Sequence, residues 1–83
     1  MLKVSVISPE SVLFEGETDS VVAPAYDGEV GILTGHAPLM ALLGEGQLRL
    51  GAASGRRFTV SGGFMQVLNN AVRIVTEKAT ATS

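Results

Sequence analysis

Apolar and polar residues alternate with a period of two along most of this chain, and no segment carries the sustained apolar stripe of a helix. In residues 2–6 every even position is apolar, so an extended segment would place these side chains on one face. Residues 47–50 repeat the pattern, with Leu48 and Leu50 directed inward and Arg49 outward. The predicted strands cover residues 2–6, 11–15, 20–25, 30–33, 39–43, 47–50, 57–60, 64–68 and 72–75.

Residues typical of turns separate these strands. Pro9 has no N–H to donate and ends the first ladder, and Asp and Gly at 27–28 favour a turn over residues 26–29. Ser and Gly at 54–55 predict a hairpin turn, and the asparagine pair at 69–70 tolerates the left-handed backbone of a tight two-residue turn. The Ala/Thr-rich tail, residues 76–83, is too short to hold a helix alone. We therefore predict an all-β fold, a β-sandwich or flattened barrel of about eight to ten short strands.

Composition narrows the class of protein. The 83 residues are 46% hydrophobic and 17% charged, which is typical of a folded domain, and we expect a single domain over residues 1–83. The absence of cysteine excludes a disulfide framework, a thiolate zinc site and an iron–sulfur cluster. The longest apolar run, residues 37–43, is far shorter than the roughly 20 residues of a spanning helix. We expect a soluble domain of a reducing compartment, without direct membrane insertion.

Charge is distributed unevenly along the chain. No lysine or arginine lies between residues 4 and 48, a stretch that carries seven acidic residues, whereas five basic residues and one acidic residue follow. Binding to nucleic acid requires a basic field over most of the footprint, so we expect no nucleic-acid partner. The acidic half is either a solvated surface or a patch that faces a basic partner.

The residues needed for catalysis, cofactor attachment or metal binding are not in place. His36 is the only imidazole, and Ser61 precedes two glycines without the G-x-S-x-G pattern of a nucleophile elbow. Neither lysine is predicted at a hairpin tip, where a lipoyl or biotinyl carrier would display it. A metal site formed by Asp27, Glu29 and His36 would need three ligands from one loop, and Gly28 disfavours the extended backbone that this requires. We predict no catalytic, cofactor-binding or metal-binding residues.

Aromatic residues are scarce. The three phenylalanines, Phe14, Phe58 and Phe64, lie within strand patterns and are predicted in the core, so only Tyr26 remains for an exposed stacking platform. This disfavours, without excluding, a free-standing β-sandwich module that binds a peptide or a carbohydrate. A small hydrolase is disfavoured by the missing catalytic residues.

Glycines are concentrated at 28, 31 and 35, in a segment that continues through His36 to residue 39. Such glycines permit sharp bends or close approach by another chain. The alternative is a β-bulge and turn that only connect two strands, with His36 hydrogen-bonded locally.

The two-part motif Gly-Glu-Val-Gly-Ile at 28–32 and Gly-His-Ala-Pro-Leu at 35–39 resembles that of the epsilon subunit of F-type ATP synthases. The likeness extends over residues 2–79 and includes Val-Ile-Ser-Pro-Glu at 6–10 and Phe-Thr-Val-Ser-Gly-Gly-Phe at 58–64. In that family this region is a ten-stranded β-sandwich, which agrees with the strand pattern.

The resemblance implies a non-catalytic rotor subunit of the central stalk that joins gamma to the c-ring and couples proton-driven rotation to ATP synthesis. It implies one copy per complex, attached through the complex to the cytoplasmic face of a bacterial inner membrane. The residues it places on the c-ring side, in a loop that faces the ring, are Gly28, Glu29, Gly31, His36 and Pro38. Those it places on the gamma side are Ser8, Leu39 and Met40.

The chain departs from longer members of that family, which continue into two helices able to inhibit ATP hydrolysis. The sequence stops at Ser83, where such a helical hairpin would begin, so we expect no C-terminal hairpin here. The chain is either a naturally short epsilon subunit, the reading we favour, or part of a longer one.

Overall fold

Ten strands make up the regular structure of the chain in a computed structural model, which describes residues 1–51 and 55–82. Their bounds are β1 Leu2–Ile7, β2 Val12–Thr18, β3 Ser20–Ala25, β4 Gly28–Leu33, β5 Leu39–Leu42, β6 Glu45–Leu50, β7 Arg56–Ser61, β8 Phe64–Leu68, β9 Ala71–Val75 and β10 Lys78–Thr82. No helix of these described ranges is long and apolar enough to cross a membrane. The turn predicted at Ser54 lies outside the described residues.

The strands form two five-stranded sheets that pack face to face. Sheet 1 has the order β2-β1-β9-β8-β5, and sheet 2 has the order β10-β7-β6-β3-β4. All pairs are antiparallel except β1 with β9, where Lys3 lies opposite Ala71 in a parallel register. The prediction of an all-β sandwich of short strands is confirmed.

The core lies between the two sheets, and the period-two pattern determines which side chains enter it. Leu2, Val4 and Val6 of β1 are each at most 1% exposed, and Leu48 and Leu50 of β6 are buried in the same core. The other buried hydrophobic residues of this core are Val21, Ala23, Ile32, Leu43, Phe58, Val60, Met65, Val67, Val72 and Ile74. Burial of one face of every sheet is what fixes the register, since a slip by one residue would turn the apolar face outward.

Strand β2 is longer than the pattern predicted, because it continues through Gly16 to Thr18. A Cβ at Gly16 would lie 3.2 Å from the Phe14 ring. Because glycine has no side chain, the ring can pack closely over this position. The Phe14 ring in turn meets Phe58 of sheet 2 edge to face, with 6.5 Å between the ring centroids. Gly16 is therefore a packing residue and not the end of a strand.

The tail forms a strand that the sequence pattern did not predict. Strand β10 pairs with β7, with Lys78 opposite Ser61 and Ala79 opposite Val60, and Ala79 packs against the core. A small turn precedes it, in which the hydroxyl of Thr76 donates to the carbonyl of Lys78 at 2.9 Å. The pairing stabilises an extended conformation that Ala and Thr alone would not impose.

The two ends of the sandwich are held by different contacts. At one end, called here the Gly28 end, an isolated bridge joins Ala25 to Leu43 across the two sheets. At the other, the His36 end, the backbone N–H of Gly35 donates to the side-chain oxygen of Asn70 at 2.7 Å. Asn70 and its neighbour have φ of 62° and 50°, so the predicted tight turn at 69–70 is confirmed.

Candidate functional site

The glycine-rich segment contains two glycines with a backbone conformation that favours glycine, and a third whose conformation does not need one. Gly28 and Gly35 have φ of 134° and 87°, which side chains rarely adopt. Gly31, in the middle of β4, has neither a positive φ nor any atom within 4 Å of an added Cβ. It therefore leaves bare backbone on the outer face of sheet 2, at an edge strand. The space around Gly31 would admit another chain, whereas a bulge or turn does not require a glycine at this position.

Glu29 lies on this same outer face, in β4 and not in a loop as expected. Its carboxylate accepts a hydrogen bond from Nη2 of Arg49 in β6, with Oε2 at 3.2 Å. The two side chains are 62% and 45% exposed, so water screens the pair and it contributes little to stability. The Glu29 carboxylate is therefore exposed at the surface, with Arg49 as its neighbour.

His36 lies in the connection between β4 and β5 and forms hydrogen bonds with residues of its own turn. Its backbone N–H donates to the carbonyl of Leu33 at 3.1 Å, and Nδ1 lies 2.6 Å from the carbonyl oxygen of Ala37. Because a carbonyl can only accept, Nδ1 carries the proton in this contact. The ring is half-buried in its own turn, which is the locally hydrogen-bonded arrangement left open above.

The five residues expected on the c-ring side do not form one cluster. Gly28 and Glu29 lie at the Gly28 end of β4, whereas His36 and Pro38 follow its other end. A six-residue strand spans about 17 Å, so these two groups cannot share one small contact. Across residues 1–51 and 55–82, no three His, Asp or Glu side chains come together as a metal site would require.

The three residues expected on the gamma side also take different positions. Ser8 lies in the β1–β2 connection at the Gly28 end, where its hydroxyl donates to the carbonyl of Ser11 at 3.2 Å. Leu39 points inward and packs against the core. Met40, the next residue in β5, is 63% exposed on the outer face of sheet 1. Of the three, Met40 is the most exposed, whereas Ser8 and Leu39 are half-buried.

The outer face of sheet 1 carries an apolar band that the sequence pattern did not reveal. We call it the apolar row; it crosses all five strands through Val12, Ile7, Val75, Phe64 and Leu42. Val12 and Leu42 at its two ends are 56% and 67% exposed. Phe64 belongs to this row, so its predicted place in the core is wrong; the buried positions of β8 are Met65 and Val67.

Comparison of the sequence with protein families and curated proteins points to one family. The model of the family described as ATP synthase, Delta/Epsilon chain, beta-sandwich domain matches residues 1–82. An ATP synthase epsilon chain from Leptospira borgpetersenii serovar Hardjo-bovis (strain JB197) is 48% identical over 77 residues, which cover 92% of this chain and 61% of that relative. The chain thus spans about three fifths of the length of the curated relative.

Two solved structures share the fold. A chain of the Euglena gracilis mitochondrial ATP synthase structure, OSCP/F1/c-ring in rotational state 1, superposes with a TM-score of 0.87 at 24% identity, covering 96% of this chain and 52% of that one. A chain of the Tetrahymena thermophila mitochondrial ATP synthase central stalk/c-ring structure gives 0.78 at 19% identity, covering 95% and 65%. At these identities the two structures support the sandwich architecture alone.

The family match and the sequence identity cover almost the same residues as the two sheets. With a family model matched from residue 1 to residue 82 and a relative 48% identical across most of the sandwich, this chain belongs to the family of the ATP synthase delta/epsilon chain, as its β-sandwich domain.

Proposed function

We propose that this domain is a non-catalytic part of the rotor of an F-type ATP synthase, which joins gamma to the c-ring. The observation that carries the proposal is the family membership over residues 1–82. Two exposed surfaces on opposite sheets support it, since an adaptor between two partners needs two contacts. The domain would be held at the cytoplasmic face of a bacterial inner membrane by these contacts.

The apolar row on sheet 1 is the surface we assign to gamma. Its members lie side by side across the strands, and Met40 continues it along β5. A continuous exposed apolar surface of this kind favours a protein partner, because burying it removes apolar area from water. Ser8, which directly follows β1, is the neighbour of Ile7 in the row and would lie at the rim of the same contact.

The outer face of β4 at the Gly28 end is the surface we assign to the c-ring. Glu29 provides an exposed carboxylate there, and Gly31 allows a neighbouring chain to approach the backbone. The resemblance implies an arginine in the polar loop of the c-ring, and this arginine would replace Arg49 as the partner of Glu29. His36 and Pro38, at the other end, would lie away from this contact.

Leu42→Glu tests the assignment of the apolar row. Leu42 is 67% exposed, so the free energy of unfolding should change by less than about 0.5 kcal/mol. Affinity for gamma should fall about tenfold or more, because a charge would be buried against an apolar partner. The measurement is binding of the purified chain to gamma by calorimetry.

Leu33→Glu is the matched control for that variant. Leu33 is 65% exposed but lies on the outer face of sheet 2. It should bind gamma like the unmodified chain. Equal loss in both variants, or in neither, would contradict the assignment of sheet 1.

Gly31→Val tests the surface on β4. Valine suits a strand and its Cβ would have no atom within 4 Å, so the unfolding free energy should stay the same or rise by about 0.5–1 kcal/mol. Its branched side chain would hold a neighbouring chain away from the backbone, and co-purification with the c-ring should fall severalfold. Thr59→Val, an exposed change on β7 of the same sheet, is the control. A Gly31→Val protein that assembles with the ring at the normal level would refute this contact.

A further inference from the structure

An arginine-lined groove lies on the outer face of sheet 2, towards the His36 end. It has a volume of about 290 Å³. The residues that line it are Ser20, Val22, Arg49, Gly51, Gly55, Arg56 and Arg57. Three of these are arginines and none of the described lining residues is acidic, although the whole chain has a net charge of −2. The groove therefore concentrates positive charge on an otherwise acidic protein.

Two of the arginines face each other directly. Arg49 of β6 and Arg57 of β7 occupy the same register position on the same face of the sheet. Cβ atoms in such a pair are about 4.5–5.5 Å apart, and like charges directly opposite each other are destabilising. The third, Arg56, is held differently, since its guanidinium lies 5.3 Å from the centroid of the Phe14 ring.

The protein neutralises this pair only in part. Both carboxylate oxygens of Glu29 contact the same atom, Nη2 of Arg49, at 3.2 and 3.4 Å. That ion pair is the only one within residues 1–51 and 55–82, so the Arg57 side chain has no anionic partner there. The groove thus retains one complete guanidinium and the unused N–H groups of another.

From this arrangement we infer that the groove binds a phosphate group, either free in solution or as an ester. A carboxylate is already present and reaches only one arginine, whereas a tetrahedral dianion presents oxygens in several directions and can bridge Arg49 and Arg57. Guanidinium N–H groups form strong, often bidentate hydrogen bonds with phosphate oxygens. Binding would also relieve the repulsion between the two opposed arginines.

The test is a titration of the purified chain with inorganic pyrophosphate at constant ionic strength, followed by amide chemical shifts in NMR. Shifts should concentrate at the strand positions around Arg49 and Arg57. Arg57→Gln should weaken binding about tenfold or more, because it removes charge-assisted hydrogen bonds. Glu29→Gln should tighten binding severalfold, because it frees Arg49 and removes the nearest negative charge.

Arg73→Gln is the matched control, since Arg73 lies on the outer face of sheet 1 and its loss changes the net charge equally. It should bind pyrophosphate with the affinity of the unmodified chain, apart from a small effect of net charge. Thermal unfolding of Arg57→Gln should show an unchanged or raised midpoint, which separates lost binding from lost folding. Equal affinities for Arg57→Gln and Arg73→Gln would overturn the proposal.

A second arm identifies the source of the phosphate. Phosphatidylcholine vesicles that contain phosphatidic acid are compared with vesicles of phosphatidylcholine alone, in a sedimentation assay. Binding that depends on Arg57 and occurs only with phosphatidic acid assigns the groove to a lipid headgroup. Binding to pyrophosphate without vesicle binding assigns it to a soluble ligand, and binding to neither overturns the proposal. Because the assays use the isolated chain, their outcome is independent of the contacts proposed for gamma and the c-ring.

Discussion

Replacement of Gly63 by alanine should destabilise this domain by more than about 4 kcal/mol. Gly63 joins β7 to β8 with φ of 103°, a conformation that side chains rarely adopt. An added Cβ would overlap the carbonyl oxygen of Val75 and lie 2.7 Å from Cα of Thr76. Both are backbone atoms held in place by the sheet, because the N–H of Thr76 donates to the carbonyl of Ile7 at 2.9 Å.

This loss is a large fraction of the total unfolding free energy of the domain. A domain of 83 residues has an unfolding free energy of about 4–12 kcal/mol. Chemical denaturation, monitored by far-ultraviolet circular dichroism, measures the change. Gly35→Ala is the control, because Gly35 has a similar φ of 87° but nothing within 4 Å of an added Cβ. It should lose only about 1–3 kcal/mol from backbone strain. Equal losses in the two variants would show that the overlap at Gly63 is relieved at no cost.

Leu48→Ala is expected to cost about 2–5 kcal/mol, the second-largest effect. Leu48 is fully buried in the centre of sheet 2, opposite Phe58 of β7. Alanine there removes apolar contacts and leaves a cavity that the flanking strands cannot fill without breaking their register. Denaturant unfolding again provides the measurement, with the m-value expected to stay constant.

Leu42→Ala is the control for Leu48→Ala, since it is the same change on an outward position of β5. With Leu42 67% exposed, the unfolding free energy should change by less than about 0.5 kcal/mol. A loss at Leu42 as large as that at Leu48 would mean that the apolar row stabilises the free domain. It would then be part of the fold and not a surface available to gamma.

The architecture of this domain was largely predictable from the alternation of residues, because each strand buries one face. Strand β10 was missed since Ala and Thr alternate with little contrast in hydrophobicity, and only pairing with β7 selects the extended state. The predicted second strand ended too early, because glycine normally weakens a strand. In the structure Gly16 instead provides the space for the Phe14 ring.

The positions of the surface residues were harder to predict than the strands. Glu29 was expected in a loop but lies in β4, where strand alternation exposes its side chain, as it exposes Met40 in β5. The apolar row could not be read from the sequence, since its five members are brought together by the order and register of sheet 1. The same holds for the arginines of the groove, because the opposition of Arg49 and Arg57 depends on the register of β6 with β7.

The parallel pair of β1 and β9 determines when this domain can fold during synthesis. Lys3 pairs with Ala71, so β1 cannot complete its pairing in sheet 1 until β9, much later in the sequence, is available. Contacts of such long sequence separation slow folding, because the chain loses entropy before the contact forms. Until residues 71–75 have left the ribosome, β1 and β2 form only an isolated hairpin, with the apolar side chains of both strands open to water. We therefore expect this small sandwich to fold only after most of it has been translated, and to depend on rapid completion or on a chaperone in that interval.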